Sequence, residues 1–459
     1  IETQRRPRGE TEADLRIHGT LDAAARATLG LDPGNTIIGA VPITLSGRVG
    51  TGTNRDGRFT VTADLTSAEI AGFLPGWVKP AGKPSRATLT LTTRPESISI
   101  DDLVIEGVGA GVKGTIELDA SGQLISANFL SYGFSDGDKA TLKAERTPDG
   151  ALRVVMRGEV YDGRGFIKTL TGGLPGAAAN QHPAPDIDLD VKLGAMLGFN
   201  GEALSNVELR MSRRAGHIRA LGLSAKIGRD GLLAGELRSE PDGTQQVELR
   251  TTDAGALFRA TDVYKRMIGG ELGIEMDPPS ATNPSQQGTL YVRNFAIHDE
   301  AELQRAATGG AQNGAPMPHG DLQFSSMRVK FSRSPGRVAL RDGVVRGPVL
   351  GGTIDGMLDY TRDSVDMRGT LVPLYGANNL LTWIPVVGTF LGGQKEGVFG
   401  FTYEVVGRPG NPILHVNIFS LLAPGVLRKI FEYPVSNEMT PAATDAIPAA
   451  NNVFTDPGR

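Results

Sequence analysis

The chain has 459 residues and a formal net charge of -4, from 47 Lys and Arg against 51 Asp and Glu. The charges are interspersed without a basic stripe and cysteine is absent, so the composition argues against nucleic-acid binding, disulfides, thiol catalysis and cysteine-based metal sites. The 61 Gly, 28 Pro and only 6% aromatic residues favour many turns and strands over long helices.

The N-terminal part begins with Ile1 rather than Met, which predicts a fragment of a longer protein. One short helix is predicted at residues 22–29, with Asp22 as its N-cap. From Val41 onward, apolar and polar residues alternate with the period of two that marks strands with one apolar face. The apolar positions include Ile43, Leu45, Phe59, Val61, Leu89, Leu91, Ile98, Ile100, Ile116, Leu118, Val154, Met156, Ile187, Leu189, Val191 and Leu193. The pattern predicts a mainly β chain built as a long antiparallel meander.

Glycine-containing turns separate the alternating segments. They stand at Asp56-Gly57, Ser121-Gly122, Asp149-Gly150, Asp230-Gly231, Asp242-Gly243, Pro335-Gly336 and Asp342-Gly343. An Asp-Gly pair between alternating segments is a strong hairpin signal, because both central residues of a type I′ turn need a positive φ. Each of these pairs therefore predicts a hairpin turn.

Further short helices interrupt the predicted strands at residues 67–74, 165–170, 253–268, 301–307 and 424–431. The helix at 253–268 is the best defined. Asp253 is its N-cap, Leu257, Tyr264 and Ile268 share one face, and Gly269 follows its end.

Three segments without periodicity predict loops, at residues 175–185, 277–287 and 309–318. The first of these loops is the predicted boundary between two parts of the chain. We divide the chain into an N-terminal β segment 1–175, a linker 176–185, a C-terminal region 186–433 and a flexible tail 434–459.

Two short motifs associated with chemistry occur where strands are predicted. Residues 109–114 spell the dinucleotide pattern G-x-G-x-x-G, and residues 133–137 spell G-x-S-x-G around Ser135. Each motif functions only where a helix follows it. Because residues 115–119 and 139–144 alternate as strands, both motifs predict strand ends or hairpin turns. No catalytic or cofactor-binding residue is assigned.

The segment with Asp186, Asp188 and Asp190 has the spacing of a calcium loop at first sight. A calcium loop next needs Gly and later a Glu, and neither follows here. The apolar residues between the carboxylates predict a strand instead, with the three aspartates and Lys192 on its solvent face. We therefore assign no metal site.

The apolar face of the predicted strands leaves two interpretations open. Half-apolar strands ordinarily pack on a second layer, and periodicity alone favours such a closed sandwich. The same face, left uncovered, would form an open apolar groove. The candidate groove residues are Leu89, Leu91, Ile116, Leu118, Val154, Met156, Ile187, Leu189, Val191 and Leu193.

The C-terminal third carries the most specific sequence pattern. A Met-Arg-Gly-Thr-Leu-Val-Pro strand end at 367–373 precedes Asn-Leu-Leu at 379–381 and Ile-Pro-Val-Val-Gly at 384–388. Glu-Gly-Val-Phe at 396–399 and Leu-Ala-Pro-Gly-Val-Leu-Arg at 422–428 complete it. These motifs resemble the AsmA-like C-terminal region of the YhdP, TamB and AsmA family of periplasmic lipid-transport proteins. Residues 252–257 and 264–270 add a second match, and residues 61–170 a looser third one.

This resemblance implies a highly twisted antiparallel sheet curled into an open groove, with short helices and a C-terminal helical cap. It implies phospholipid transport between inner and outer membranes, which supports the outer-membrane barrier, and no enzymatic activity or cofactor. Expected partners are phospholipid, membrane surfaces and outer-membrane or periplasmic proteins. The expected location is the periplasm, with an inner-membrane anchor in a segment absent from this sequence.

Two apolar segments near the C-terminus are candidates for membrane contact or for capping the sheet. Pro385 and Gly388 interrupt the first, so neither segment is an unbroken spanning helix. Arg428 and Lys429 beside apolar residues are typical of a short interfacial helix that touches anionic headgroups. The candidates are Trp383, Ile384, Phe390, Leu391, Leu427, Arg428, Lys429, Ile430 and Phe431.

An alternative function remains open at this point. Exposed sheet edges also allow a non-catalytic scaffold that assembles outer-membrane proteins by strand addition. A charged substitution on the apolar face would block a lipid conduit and leave edge binding intact.

Overall fold

The structure, a computed structural model, describes residues 2–4, 12–29, 36–50, 56–71, 74, 76–171, 186–279, 285–307, 320–373 and 400–417. It is mainly β, with a large, twisted, open antiparallel sheet and few helices, which confirms the predicted fold class at this level. Two compact units divide the chain. The first contains Ile1–Gly198 and Leu204–Ala220, and the second contains Phe199–Ala203 and Leu221–Arg459.

The first unit begins with strands β1 to β14 and two helices. The strands are β1 Glu2–Gln4, β2 Glu12–Leu21, β3 Ile37–Ile38, β4 Val41–Gly50, β5 Gly57–Asp64, β6 Glu69–Ala71, β7 Val78–Lys79, β8 Ser85–Thr93, β9 Ser97–Gly107, β10 Ala110–Asp119, β11 Leu124–Gly133, β12 Lys139–Arg146, β13 Leu152–Asp162 and β14 Ile187–Leu197. The helices are α1 Ala23–Thr28 and α2 Arg164–Thr171. Strand β15, Ala203–Arg214, follows β14.

The second unit contains the part of β16 from Leu221 onward, strands β17 to β26 and two more helices. The strands are β16 His217–Ile227, β17 Gly231–Ser239, β18 Gln245–Thr251, β19 Met267–Met276, β20 Gln286–Ile297, β21 Leu322–Ser334, β22 Arg337–Arg346, β23 Leu350–Asp359, β24 Ser364–Pro373, β25 Phe401–Arg408 and β26 Asn411–Asn417. The helices are α3 Ala254–Ala260 and α4 Ala301–Ala307. Each strand from β17 to β26 pairs antiparallel with its predecessor.

In the first unit, the main ladder runs β2, β4, β5, β8 and then β9 to β13 in antiparallel pairs. The short strands β3, β6 and β7 form a separate small sheet. The meander prediction is wrong at one place, because β13 and β14 pair in parallel. Parallel neighbours need a crossover of a dozen or more residues. Helix α2 and the chain up to residue 186 provide that length.

Three of the five described helix predictions are confirmed in position, at α1, α2 and α4, and Asp22 caps α1 through the N–H of Ala25. The helix predicted at 67–74 is wrong, because residues 69–71 form β6. There the Lys79 amino group donates to the carbonyl oxygens of Thr66 and Ala68, which a helix would have bonded internally.

The helix predicted at 253–268 is wrong in length. Asp253 caps it as predicted, but α3 ends at Ala260 and Asp262 adopts a φ of 56°. Met267 instead pairs with Ile297 of β20. Strand pairing across the sheet therefore overrides the helical periodicity of the last eight predicted residues.

The predicted hairpins at 121–122, 149–150, 242–243 and 335–336 are confirmed, although only their glycines have a positive φ. The first three are longer than the two-residue type I′ loop, as the bond from Gly150 N–H to the Thr147 carbonyl illustrates, whereas Pro335 and Gly336 form a two-residue loop between the paired Ser334 and Arg337. The turn predicted at Asp342-Gly343 is wrong. These residues form a bulge inside β22, where Asp342 has a φ of 51° and its N–H donates to Asp355.

Candidate functional site

One face of the first unit's sheet carries all ten predicted groove residues. Residues paired across neighbouring strands lie side by side on the same face, and so does every second residue along a strand. The pairing line runs Leu91, Ile100, Ile116, Ala127, Ala144, Val154 and Leu189 across β8 to β14. The other six predicted residues lie two or four positions along a strand from members of this line. They are Leu89, Leu118, Met156, Ile187, Val191 and Leu193. The structure therefore brings the predicted set together.

Exposure along these strands changes from one end to the other. At the end near α2, the same face is fully buried at Val112, Tyr132 and Tyr161. Towards the other end the side chains are only half-buried, and of the ten predicted residues only Met156 and Leu193 count as buried. An apolar face that keeps solvent contact over many strands is unusual, because such surface ordinarily packs on a second layer.

The buried end is filled by an aromatic cluster. Trp77 stacks on Phe134 with ring centroids 5.4 Å apart, Phe134 meets Tyr132 edge-on, and Tyr161 contacts both Tyr132 and Phe166 of α2. Burial raises the pKa values of Tyr132 and Tyr161. The cluster closes this end of the first unit with protein.

Asp138 fixes the turn beside that cluster. Its carboxylate accepts hydrogen bonds from the backbone N–H groups of Phe134, Ser135 and Asp162, at 2.8, 3.0 and 2.7 Å. Burial raises the pKa of this carboxyl, and the three N–H donors lower it in part. Ser135 therefore lies in a hairpin turn between β11 and β12, as predicted.

The opposite face of the same strands is polar. Arg214 donates to both carboxylate oxygens of Asp188, at 2.9 and 2.8 Å, and Arg157 donates to Asp190 at 2.8 Å. Asp186 accepts the N–H of Ala215. The three aspartates thus bind neighbouring strands, and in the described part of the chain no group of His, Asp and Glu is arranged to hold a metal ion.

Hydrogen bonds from Arg214 and then from Ser212 hold the pKa of Asp188 below its ordinary value. The Asp188 carboxylate in turn raises the pKa of Arg214. On the polar face, the charges of Asp188 and Asp190 are therefore compensated by arginines of neighbouring strands. The line from Leu91 to Leu189 on the other face consists of apolar residues only.

The apolar line also includes residues that the site prediction omitted. In the first unit, Ile17, Leu45 and Val61 extend it from Leu89 to β2. The second unit has a line of its own, with half-buried Leu223, Leu249, Ile274, Leu290, Phe331, Leu340, Met367, Val405 and Leu414. The signal for these residues is the same period of two. This alternation is present in the sequence. The bulges shift it by one residue, so the sequence alone does not show which residues share a face.

Helices α3 and α4 cover part of the second unit. All but one of the residues of α3 are buried and it packs on β19 and β20, while α4 packs on β24 and β26 through buried Leu303, Ala306 and Ala307. Phe295, near the end of β20, stacks on Phe324, near the start of β21, with ring centroids 5.2 Å apart. As in the first unit, one end is filled with protein and the other is half-buried.

The predicted membrane-contact or cap residues, from Trp383 to Phe431, lie outside the described residues, as does the helix predicted at 424–431. Within the described ranges, none of the helices combines the length and the apolar character needed to cross a bilayer. No protein-family model, curated protein or solved structure matches this chain.

Proposed function

We propose that this chain binds phospholipid acyl chains on its half-buried apolar face and carries them between the inner and outer membranes of a Gram-negative envelope. In this proposal the strands curve into an open groove, and the C-terminal segment caps it. The observation that carries the proposal is that all ten predicted groove residues share one face and most remain half-buried. The sequence resemblance to periplasmic lipid-transport proteins points the same way.

The dimensions of the apolar line suit an acyl chain. From β2 to β14 the ladder has nine strand spacings, which is about 43 Å at about 4.8 Å each. One leaflet of a bilayer offers about 15 Å of hydrocarbon depth, half of the usual core thickness. Each CH₂ that leaves water for an apolar surface gains about 0.8 kcal/mol. A continuous line therefore shields a tail while the headgroup stays in water.

The proposal assigns binding rather than catalysis. The first catalytic-looking motif spans the turn before β10 and the start of that strand, and the second spans the end of β11 and the β11–β12 turn. Asp186, Asp188 and Asp190 bind neighbouring strands. We place the protein in the periplasm, with phospholipid, membrane surfaces and envelope proteins as its partners. The driving force for transport lies outside this chain in the proposal.

Lipid retention by face-specific variants tests the proposal. Leu189→Glu with Val191→Glu places two charges on the apolar face of β14. Val155→Glu is the matched control, because Val155 is half-buried, pairs with Asp190 and faces the opposite side of the sheet. Each protein is purified from bacterial lysate without detergent, and bound lipid is measured by native mass spectrometry and by extraction.

We expect phospholipid on the unmodified chain and on Val155→Glu, and its loss from the Leu189 and Val191 double variant. Because both side chains are half-buried, the double variant should still fold, as circular dichroism would show. A folded, lipid-free unmodified chain would contradict the proposal and favour a non-catalytic scaffold. Unfolding of the double variant alone would indicate a closed core behind β14.

A further inference from the structure

The segment between α3 and β19, residues 261–266, reaches the far end of the second unit's strand order. A Cβ atom added to Gly410 would lie 2.3 Å from the nearest carboxylate oxygen of Asp262. The Lys265 amino group donates to the side-chain oxygen of Asn411. Gly410 and Asn411 form the turn into β26, so this segment touches a strand that is seven places from β19 in the ladder.

These contacts require the strands between β19 and β26 to curve. Seven spacings of about 4.8 Å would place β26 about 34 Å from β19 in a flat sheet. The five residues from Asp262 to Met267 span at most about 17 Å. Helix α4 follows β20 and packs on β24 and β26, which requires the same curvature. A segment that joins both ends of a curved sheet lies on its concave side.

The concave side is the apolar one. The buried apolar residues of α3 and α4 pack there, whereas ion pairs such as Lys330 with Asp342 and Arg238 with Glu248 lie on the other face. Tyr360, at the β23–β24 turn, has its pKa raised by burial and further by the nearby Asp262 charge. Because the segment reaches from β19 to the turn before β26 on this side of the curved sheet, it passes over the half-buried apolar line of the second unit.

The two ends of this crossing segment are held differently. Where the segment joins α3 and β19, Arg259 of α3 is paired with Glu202 at 2.6 Å and Arg266, just before β19, with Glu300 at 2.7 Å, and burial raises the pKa of Tyr264. On the β26 side, the contact from Lys265 to Asn411 is polar and exposed. Exposed polar contacts contribute little stability, so the contact from Lys265 to Asn411 breaks more easily than the two ion pairs. The chain turns through Gly269 and Gly270, both with positive φ, just beyond the segment.

We propose that residues 261–266 form a bridge that opens at the β26 turn to admit an acyl chain onto the second unit's apolar face and closes over it. This rests on the proposed lipid-binding function. The bridge remains attached through α3 and Arg266 and releases Gly410 and Asn411. Lipid then enters sideways along the concave face rather than only from an end of the line.

A reversible crosslink tests the bridge. The chain has no cysteine, so Asp262→Cys with Gly410→Cys introduces a single disulfide pair. The added Cβ of residue 410 lies 2.5 Å from Cγ of Asp262, and Cγ is one bond of about 1.5 Å from Cβ of residue 262, so the two Cβ atoms lie no more than about 4 Å apart, close enough for a disulfide. The Asp262→Cys single variant is the control for oxidation itself. Transfer of a fluorescent phosphatidylethanolamine between vesicles is measured in oxidised and reduced protein.

We expect the oxidised pair to slow transfer several-fold and reductant to restore it, with no redox effect in the single variant. Equal rates in the oxidised and reduced states of protein in which the disulfide has formed would overturn the bridge and leave lipid binding intact. Absence of lipid from both states would overturn the proposed function as well. Lys265→Ala with Asn411→Ala removes the hydrogen bond between these two side chains without introducing cysteine, and we expect faster lipid transfer. Transfer no faster than in the unmodified chain would also contradict the bridge.

Discussion

Asp188 shows how a carboxylate in a calcium-like array is used to bind strands. Its two oxygens accept from Arg214, and one also accepts from Ser212 at 2.8 Å. These bonds join β14 to β15 within the first unit. Bidentate pairs of this kind combine charge with fixed geometry. Asp188 therefore fixes the position of β14 relative to β15 and does not serve as a cation ligand.

We expect Asp188→Asn to lower the free energy of unfolding at pH 7 by about 1 kcal/mol, the upper part of the range for partly exposed pairs. Because the folded pKa of Asp188 lies below its unfolded value, its stabilisation is present above the unfolded pKa and is lost as pH falls through the folded pKa. Urea unfolding at pH 7 and pH 3 measures this.

The variant should therefore lose less stability than the unmodified chain between these two pH values. Asp136→Asn, in an exposed turn, is the control and should match the unmodified chain. An unchanged pH dependence in Asp188→Asn would show that Arg214 does not stabilise the fold through this carboxylate.

Asp138 stabilises the β11–β12 turn by accepting three backbone hydrogen bonds. Asp138→Ala leaves the backbone N–H groups of Phe134, Ser135 and Asp162 without their acceptor, and we expect a loss of about 3 kcal/mol in the free energy of unfolding. Ser135→Ala keeps this acceptor and should cost much less. Chemical denaturation of both variants checks the order, and a larger cost for Ser135→Ala would contradict it.

At the scale of the element, α3 depends on its N-cap because it is only seven residues long. Asp253 accepts the N–H of Ala256 at 2.9 Å. We expect Asp253→Ala to lower stability by about 1 kcal/mol, and Asp253→Asn to cost much less because Asn caps equally well. Thermal unfolding compares the two. Equal costs would mean that the carboxylate charge, and not the cap, stabilises α3.

The strands of the first unit should differ in sensitivity along their length. Trp77 is 3% exposed and stacks on Phe134, so Trp77→Ala should cost about 3 to 5 kcal/mol. Leu118 lies at the half-buried end, and Leu118→Ala should cost about 1 kcal/mol because only part of its surface leaves water on folding. Urea midpoints measure both. A cost at Leu118 as large as at Trp77 would indicate a covered face.

At the scale of the whole molecule, the apolar face predicts that lipid stabilises the fold. A ligand at a hundred times its dissociation constant adds about 2.7 kcal/mol to the free energy of unfolding. We therefore expect the lipid-stripped chain to bind an anilinonaphthalene dye and to melt at a lower temperature than after phospholipid is restored. The Leu189→Glu and Val191→Glu variant should show no such rise. An identical melting temperature with and without lipid would count against the proposed function.

Much of the fold follows from local pattern. Alternation predicted the strands, Asp22 and Asp253 predicted two helix caps, and Asp149-Gly150 predicted a hairpin, because each depends on neighbours in sequence. The strand period also selected ten candidate residues of one face. Their role as a lipid groove stays a prediction.

Non-local pairing explains the errors. Residues 69–71 became a strand because β3 and β7 lie beside them, and the predicted helix at 253–268 ended early because Met267 pairs with β20. The parallel neighbours β13 and β14 likewise depend on a crossover rather than on either strand's own sequence. A propensity of a few tenths of a kcal/mol per residue cannot outweigh a ladder of hydrogen bonds and a buried face.

The sequence by itself determined the class of the chain, the spacing of its strands and the apolar character of one face, since these follow from residue order and a period of two. Only the tertiary structure decided which residues share a face across bulges such as Asp102 and Asp342, because one extra residue shifts the parity of everything beyond it. It also decided where that face is filled by aromatic residues and helices and where it stays half-buried. Burial depends on what packs above a strand, and no strand encodes that alone.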